Sequence, residues 1–232
     1  MYEAKLYGQP VAVKRVELAV AGSAEDSTRT SEIDQVRFND VRSEAEILAR
    51  TRHPHVVTFF GIYIRDNAAH IVLELCVDGT LQDLVDEWSA LVVEQDSSVG
   101  ASALSARTRW LHSNKSMHAL RAATQVAEAM RFLHSNSIIH RDLKPSNVLV
   151  SRTSRNRQDR GAFSIKLCDF GTSSHASTQQ RMQCTANQGT PAYMAPELVV
   201  ENNRRAALAD ATKLDVFAFG VVLNEMWTRQ KP

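Results

Sequence analysis

The amino-acid sequence predicts an α+β fold with two lobes, a small strand-rich lobe followed by a larger, mainly helical one. Strand patterns dominate the first part of the chain, where VAVKRV, VVTFFGIYI and HIVLEL are rich in β-branched and aromatic residues. After Gly79 the pattern becomes helical, in TLQDLVDEWSALVV and SMHALRAATQVAEAMRFLH. This order predicts lobes at residues 1–76 and 77–232, with a cleft between them.

The first two strands are predicted to form a hairpin. YEAKL and VAVKRV have strand character, and Gly8-Gln9-Pro10 between them are turn-forming residues. Residues 19–37 are small, polar and charged, so they are expected to form a flexible insertion. VVTFFGIYI and HIVLEL follow, and both are predicted to be buried strands of the small lobe.

A helix is predicted between these pairs of strands, in FNDVRSEAEILARTRH. Asp40 is its expected N-cap, and the His-Pro pair at 53–54 ends it. Val41, Ala45 and Leu48 recur at helical spacing, which defines the face expected to pack inward.

The larger lobe is predicted to contain two helices, short strands and a final helix. Residues 95–115 are expected to be a loop, and the helix after it is expected to bury Leu120, Ala123, Ala127 and Met130. IIHRDLKPSNVLV and FSIKLCDFG are units of strand and loop, separated by SRTSRNRQDRG, a solvated loop. TKLDVFAFGVVLNEMW is a strongly apolar helix with the face Val216, Phe219, Val222, Leu223 and Met226.

Composition and charge exclude several classes of protein. Twenty-seven basic residues balance 26 acidic ones, which argues against nucleic acid or an anionic membrane as the main partner. No membrane span is expected, because no apolar run approaches the roughly 20 residues of a transmembrane helix. No signal peptide is expected, because the N-terminus has no basic flank followed by an apolar core. The cysteines are odd in number and far apart, which indicates free thiols in a cytoplasmic compartment and no metal-ligand spacing: Cys76, Cys168 and Cys184.

The segment IIHRDLKPSNVLV carries the strongest chemical signal. It places Asp142, Lys144 and Asn147 in one short loop that Pro145 stiffens. A surface ion pair would need only two of these groups, so the third polar group favours a functional site. Asp169 follows 27 residues after Asp142, in KLCDFG. A carboxylate together with an amide oxygen is the ligand chemistry that a hard cation such as Mg²⁺ prefers.

These motifs make the sequence resemble the eukaryotic protein kinase family. VAVK, HRDLKPSN, DFG and APE occur in the order and at the spacing of that family, and the resemblance extends from Tyr2 to Pro232. GTPAYMAPEL and DVFAFGVVLNEMW look most like the tyrosine-kinase-like group, which mostly phosphorylates serine and threonine. The resemblance implies a protein-kinase-like bilobal fold, and the roles that follow are what it implies.

Lys14 would hold the α- and β-phosphates of ATP, paired with a glutamate on the following helix. Glu46 has arginines four residues to either side, so it is expected on a solvated face with ion pairs. Glu44 shares the apolar face that packs inward, where a carboxylate needs a partner. Glu44 is therefore the predicted partner, and the insertion at 19–37 would absorb the 30-residue gap from Lys14.

The two motifs supply the other groups of the site. Asp142 would orient the substrate hydroxyl and accept its proton, while Lys144 would steady the γ-phosphate. Asn147 and Asp169 would be the Mg²⁺ ligands. The implied reaction is in-line transfer of the γ-phosphoryl group of ATP to a hydroxyl of a protein substrate. Lysine at position 144 resembles serine/threonine kinases rather than tyrosine kinases.

IVLELCVDGTLQDL resembles the hinge that binds adenine. Leu73 would be the gatekeeper residue, and Glu74 and Cys76 would offer backbone groups to adenine. Asp83 would contact the ribose. A negative charge at the start of a helix, near the helix dipole, would explain an aspartate at this position equally well. Two further sets are implied: Ala12 and Leu149 would enclose the adenine ring, and Leu48, Phe59, His140 and Phe170 would stack as the regulatory spine.

Residues 172–190 are expected to include an activation loop on which an upstream kinase acts. Arg141 could pair with a phosphate there. Thr190 is instead expected to contact Asp142 and Lys144 and to shape the substrate site. The candidate phosphorylation sites are Ser173, Ser174, Ser177, Thr178 and Thr185, with Thr185 preferred.

The resemblance also implies that both lobes are incomplete. The family has a glycine-rich loop before the position where this chain starts, and several helices after the position where it ends. The chain alone is therefore expected to bind ATP poorly and to be unstable. Two alternatives stay open at this point. One is a truncated, non-catalytic scaffold that binds protein partners, and the other is a small-molecule phosphotransferase of the same fold.

Overall fold

The computed structural model describes residues 1–18, 27–96, 106–152, 163–175, 189–199 and 211–232. The fold is α+β, as predicted. A four-stranded antiparallel sheet and one long helix form the first part, and helices with two small two-stranded sheets form the second. One apolar cluster continues through both parts, and it includes Ile71 of the sheet, Leu133 and Val222.

The four-stranded sheet has the order β1-β2-β4-β3. The turn between its first two strands is at Tyr7 and Gly8, which have φ of 49° and 83°, as a tight hairpin turn requires. Gln9 and Pro10 belong to the second strand, so the predicted turn lies about one residue too late. The strands are β1 (Tyr2–Leu6), β2 (Gln9–Glu17), β3 (Phe59–Arg65) and β4 (Ala68–Glu74).

The two strands predicted to be buried have different surroundings. β4 is central and is buried from Ala68 to Leu73. β3 is an edge strand, and Phe60 and Ile64 are 50% and 61% exposed. The prediction of a buried β3 is therefore wrong, because an edge strand packs against neighbours on fewer sides than a central one.

Helix α1 (Ser27–Arg50) is much longer than predicted. It begins 13 residues before Asp40, so Asp40 is not its N-cap. Most of the insertion predicted at 19–37 is helical, and residues 19–26 lie outside the described residues. The added segment contains neither glycine nor proline, and extending an existing helix gains one hydrogen bond for each residue ordered.

The larger part is built on helices α2 (Leu81–Asp96) and α3 (Ala106–Ser135). α3 includes much of the loop predicted at 95–115, and residues 97–105 lie outside the described residues. Leu120 is 59% exposed, so the predicted face is wrong in part. An alanine-rich helix offers several similar apolar faces, and packing against β7 and α2 selects Ala119, Ala122, Val126, Ala129, Met130 and Leu133.

Short paired strands carry the two motif loops. β5 (Ile138–Ile139) pairs with β8 (Ser174–His175), and β6 (Val148–Arg152) pairs with β7 (Phe163–Leu167). The loop after α1 runs beside β7, where the Val57 amide donates to the Leu167 carbonyl at 2.9 Å. The arginine-rich segment at 153–162 lies outside the described residues.

Helix α5 (Thr212–Thr228) follows the short helix α4 (Pro196–Val199). Val222 and Met226 of the predicted apolar face are buried, and α5 contacts α3. Val216 and Leu223 are 61% and 37% exposed. Within the described ranges, none of the helices combines the length and apolar character needed to cross a membrane.

Gly79, just before α2, is predicted to tolerate no side chain. Its φ is 88°, and a Cβ there would lie 2.8 Å from Asp83 Oδ2. We expect Gly79→Ala to reduce the free energy of unfolding by about 2 kcal/mol, measured by urea denaturation. Gly8→Ala is the matched control, because Gly8 has φ of 83° and nothing within 4 Å of the added Cβ. Equal losses in both variants would show that the contact with Asp83 contributes nothing.

Candidate active site

Lys14 lies at the centre of an ionic cluster between the sheet, α1 and the loop after β7. Its Nζ is 2.7 Å from Glu44 Oε1 and 2.9 Å from Asp169 Oδ1. Lys14 follows three buried residues of β2 and pairs with Ile71 of β4, which fixes its backbone. Glu44 is buried on the inner face of α1, so its carboxylate points at the sheet.

The choice between the two glutamates follows from their surroundings. Glu46 Oε1 accepts from Arg42 Nε at 2.8 Å, and both side chains are more than half exposed. The Glu44 side chain is only 6% exposed and has the Lys14 ammonium beside it. Both glutamates therefore lie where their spacing on the helix predicted, one paired inward and the other on the solvated face.

Opposite charges in this cluster favour the charged forms of one another's side chains and so oppose the effect of burial. Burial alone would lower the pKa of Lys14, but the carboxylates of Glu44 and Asp169 outweigh burial and raise it. Burial would raise the pKa of Asp169, but the charge and hydrogen bond of Lys14 hold it below its usual range. Burial raises the pKa of Glu44, and Lys14 offsets only part of this effect.

The Asp142 carboxylate is held by three neighbouring side chains. Oδ1 accepts from the backbone amide and the hydroxyl of Thr190, at 3.0 and 2.9 Å. Oδ2 lies 2.7 Å from Lys144 Nζ and 3.0 Å from Asn147 Nδ2. Lys144 Nζ also donates to Thr190 Oγ1 at 2.7 Å, which is the contact predicted for that threonine. Four donors around one carboxylate fix its orientation.

The loop that carries Asp142 is held in place by hydrogen bonds from its backbone to Asp215 of α5. Asp215 is 1% exposed, and its two oxygens accept from the backbone amides of His140 and Arg141 at 2.9 and 2.8 Å. Oδ2 also lies 2.8 Å from His134 Nε2. Sequence reasoning missed this role. The available signal was the Asp215 carboxylate inside a strongly apolar helix, where burial demands partners.

A second buried carboxylate was also missed. Glu225 of α5 is 1% exposed and accepts from Tyr193 Oη at 2.6 Å and from Gln82 Nε2 at 3.0 Å. Burial and the contact with Glu225 raise the pKa of the Tyr193 hydroxyl, so it stays a donor. Tyr193 follows Thr190 by three residues, so this contact holds the segment that reaches Asp142.

The predicted Mg²⁺ ligands lie on adjacent loops. The Cys168 amide donates to the Asn147 carbonyl at 3.0 Å, which holds Asp169 beside the loop of Asn147. The Asn147 amide nitrogen is used by Asp142, which leaves its amide oxygen as the remaining polar group. The Asp169 side chain is 49% exposed. One carboxylate and one amide oxygen suit Mg²⁺, which keeps several water or phosphate ligands. The described residues contain no larger cluster of metal-ligating side chains.

The structure places the side chains assigned to adenine on three strands, β2, β4 and β6. Ala12 and Leu73 are register partners in neighbouring strands, and both are buried. Leu149 forms an isolated bridge with Thr80, so β6 lies against the segment after β4. The Glu74 carboxylate contacts Thr58 and Lys166, and the Glu74 amide donates to the Thr58 carbonyl at 2.9 Å.

Asp83 forms hydrogen bonds with Thr80 at the start of α2. Asp83 Oδ2 accepts from the amide and hydroxyl of Thr80 at 2.7 and 2.8 Å, and the Asp83 amide donates back to Thr80 Oγ1 at 3.3 Å. This is a capping box, which favours the helix-start explanation of Asp83 over the ribose contact.

Burial raises the pKa of Cys76 to about 11 and that of Cys168 to about 12, so both thiols stay protonated at neutral pH.

The four residues of the predicted spine lie in or beside the continuous core. Leu48 and Phe170 are buried in it, and Phe59 packs against it. The rings of His140 and Phe170 are 5.2 Å apart, and His140 is fully buried. The imidazole Nε2 lies 3.1 Å from the Cys168 carbonyl, so the ring also contacts the strand end before Asp169.

The first serines of the predicted activation loop are buried against the loop that carries Asp142. Ser173 and Ser174 are buried, and Ser173 Oγ donates to the His140 carbonyl at 3.2 Å. These two hydroxyls are therefore inaccessible to a modifying enzyme in this conformation. Arg141 Nη1 donates to the Thr172 carbonyl at 3.4 Å. The other candidates lie outside the described residues: Ser177, Thr178 and Thr185.

Comparison with known proteins agrees with this geometry. The chain is 33% identical over 202 residues to the serine/threonine-protein kinase RUNKEL of Arabidopsis thaliana, an alignment that covers 86% of this chain and 12% of that protein. It is 32% identical to the mitogen-activated protein kinase kinase kinase dlk-1 of Caenorhabditis briggsae, over 82% of this chain and 18% of that protein.

A third relative is the mitogen-activated protein kinase kinase kinase 7 of Drosophila melanogaster, 30% identical over 83% of this chain and 23% of that protein. The chain thus spans less than a quarter of the length of each of these relatives. The two mitogen-activated protein kinase kinase kinases are of the tyrosine-kinase-like type, the group that the motifs of this chain were expected to resemble most. The family description "Protein kinase domain" matches residues 2–232. The chain therefore belongs to the protein kinase family.

Proposed function

We propose that this chain transfers the γ-phosphoryl group of ATP to serine or threonine hydroxyls of protein substrates. The observation that carries the proposal is the Asp142 carboxylate, which is held by Lys144, Asn147 and Thr190. A surface ion pair would not need three partners of different chemistry. The names of the serine/threonine kinases among its relatives support the same substrate class.

ATP would supply the phosphoryl group, and Mg²⁺ would neutralise its developing charge. Lys14, fixed by Glu44, would bind the α- and β-phosphates, and Asp169 with Asn147 would hold the metal ion. Asp142 orients the substrate hydroxyl and accepts its proton as the oxygen attacks. Lys144 steadies the γ-phosphate while it also restrains Asp142. Positioning and fixed charge supply most of the rate enhancement.

The wider context of the reaction is part of the proposal. The lobes divide near residues 76 and 77, and the protein substrate approaches from the side of Thr190. An upstream kinase acts on the 172–190 segment, at a residue beyond the buried Ser173 and Ser174. The location in this proposal is the cytoplasm, and it rests on three cysteines that are odd in number and far apart in the sequence.

The test compares two glutamates on one helix. We expect Glu44→Gln to lower the rate of phosphate transfer to a mixed protein substrate by about 10- to 100-fold, because a buried charge-assisted contact with Lys14 is lost. Glu46→Gln, the matched control, should change the rate by less than about 2-fold, since exposed ion pairs contribute little. Incorporation is followed with γ-labelled ATP, and the modified residue type is identified by mass spectrometry.

Three results would contradict the proposal. Labelling confined to tyrosine would overturn the substrate class. Equal rates in the two variants would remove Glu44 from the mechanism. Nucleotide binding with no transfer to any protein would favour the non-catalytic scaffold.

A further inference from the structure

A second ionic contact joins the hinge segment to the strand that leads to Asp169. Lys166 of β7 has its Nζ 3.0 Å from Glu74 Oε2, and it donates to the Pro54 carbonyl at 3.1 Å. The side chains of Lys166 and Glu74 are 14% and 29% exposed, so the contact is partly shielded from water. Lys166 precedes Asp169 by three residues and has no role in the mechanism above.

The same Glu74 oxygen is held from a second side by Thr58. Thr58 Oγ1 donates to Oε2 at 2.7 Å, and the Thr58 amide donates to it at 3.3 Å. The Glu74 amide donates back to the Thr58 carbonyl at 2.9 Å. Burial would raise the pKa of Glu74, but the hydrogen bonds from Thr58 and Lys166 outweigh burial and lower it. The carboxylate therefore stays charged at neutral pH and keeps its donors.

These contacts connect three segments that are far apart in sequence. Glu74 ends β4 and begins the backbone assigned to adenine, Pro54 lies in the loop after α1, and Lys166 lies in β7. The loop is itself tied to β7, because the Leu167 amide donates to the His55 carbonyl at 2.9 Å. The end of β4 is thereby fixed relative to the strand that positions Asp169.

We propose that Lys166 is a positioning residue for nucleotide recognition, which holds the Glu74–Cys76 backbone in register with the adenine base. This inference rests on the proposed function. Lys166 would act through Glu74 without touching the nucleotide. Its effect should therefore fall on recognition of the base, while the triphosphate contacts of Lys14 and Asp169 remain.

The test measures dissociation constants for ATP and for GTP in the purified full-length protein. We expect Lys166→Met, which keeps the length of the stem, to raise the constant for ATP about 5- to 10-fold, because a shielded charge-assisted hydrogen bond is lost. The constant for GTP should change by less than about 2-fold, so the preference for ATP falls. A loss of general stability would weaken both nucleotides equally.

Three further variants sharpen the test. Lys166→Arg keeps the charge and should restore ATP binding to within about 2-fold of the wild type. Lys5→Met, at an exposed position of β1, is the matched control and should have no effect. Glu74→Gln combined with Lys166→Met should be no worse than Lys166→Met alone, because both remove the same contact.

Thr58→Val is the alternative variant if Lys166→Met fails to fold. It removes the hydroxyl that donates to Glu74 Oε2 and preserves the shape of the side chain. An ATP-to-GTP preference unchanged in both variants would overturn the inference. A wild-type protein that binds ATP without transferring phosphate would overturn the proposed function. The comparison of ATP and GTP binding would still test the inference about Lys166. A wild-type protein that binds neither nucleotide would overturn both.

Discussion

Replacement of Asp142 by asparagine is expected to slow phosphate transfer by roughly 100- to 10,000-fold, the usual contribution of a positioned general base. The amide keeps the shape of the carboxylate but cannot accept the substrate proton. It also places an NH₂ group against either Thr190 or the Lys144 and Asn147 donors, where an oxygen now accepts. The rate constant is measured at saturating ATP and protein substrate.

Nucleotide binding provides the control for this variant. Lys14, Glu44 and Asp169 form a separate ionic cluster, so the dissociation constant for ATP should change by less than about 2-fold in Asp142→Asn. Asp66→Asn is the matched substitution, because Asp66 is exposed in a turn at φ of 51°, a conformation that asparagine tolerates. Full activity of Asp142→Asn would remove this residue from the proton transfer.

Asp215→Ala is expected to lower the free energy of unfolding by about 3 to 5 kcal/mol, the usual cost of removing one partner from a buried charged contact. The substitution leaves the amides of His140 and Arg141 without acceptors and removes the contact of His134. An unsatisfied buried donor costs about 1 to 3 kcal/mol on its own. Urea denaturation followed by circular dichroism measures the loss.

The same substitution should also impair catalysis in whatever fraction remains folded, because His140 and Arg141 directly precede Asp142. Asn224→Ala is the matched control, since Asn224 is exposed on the same helix, and it should stay within about 0.5 kcal/mol of the wild type. A loss below about 1 kcal/mol in Asp215→Ala would show that the loop does not depend on this carboxylate.

The fold differs from the sequence expectation mainly where tertiary packing selects among local alternatives. The alanines of α3 allow several apolar faces, and contact with β7 and α2 decides which is buried. Strand β3 has the apolar residues of a buried strand, yet its place at the edge of the sheet leaves Ile64 exposed. Helix α1 starts earlier than Asp40 because neither glycine nor proline lies between Ser27 and Asp40, and a favourable N-cap residue need not start a helix.

The sequence by itself determined which candidate site residues lie close together along the chain and which glutamate of α1 faces inward. Short motifs place Asp142, Lys144 and Asn147 within six residues, and helical spacing separates Glu44 from Glu46. Such patterns are local, so the period of a helix or the length of a loop is enough to predict them.

Only the tertiary structure decided how that site is supported. The contacts of Asp215 with His140 join positions 75 residues apart, and those of Glu225 with Tyr193 join positions 32 apart. Lys166 and Glu74 lie 92 residues apart and meet where β7 passes the end of β4. A carboxylate within an apolar helix or strand signals that a partner is needed. The identity of that partner follows only from chain segments packing together, because no sequence period links them.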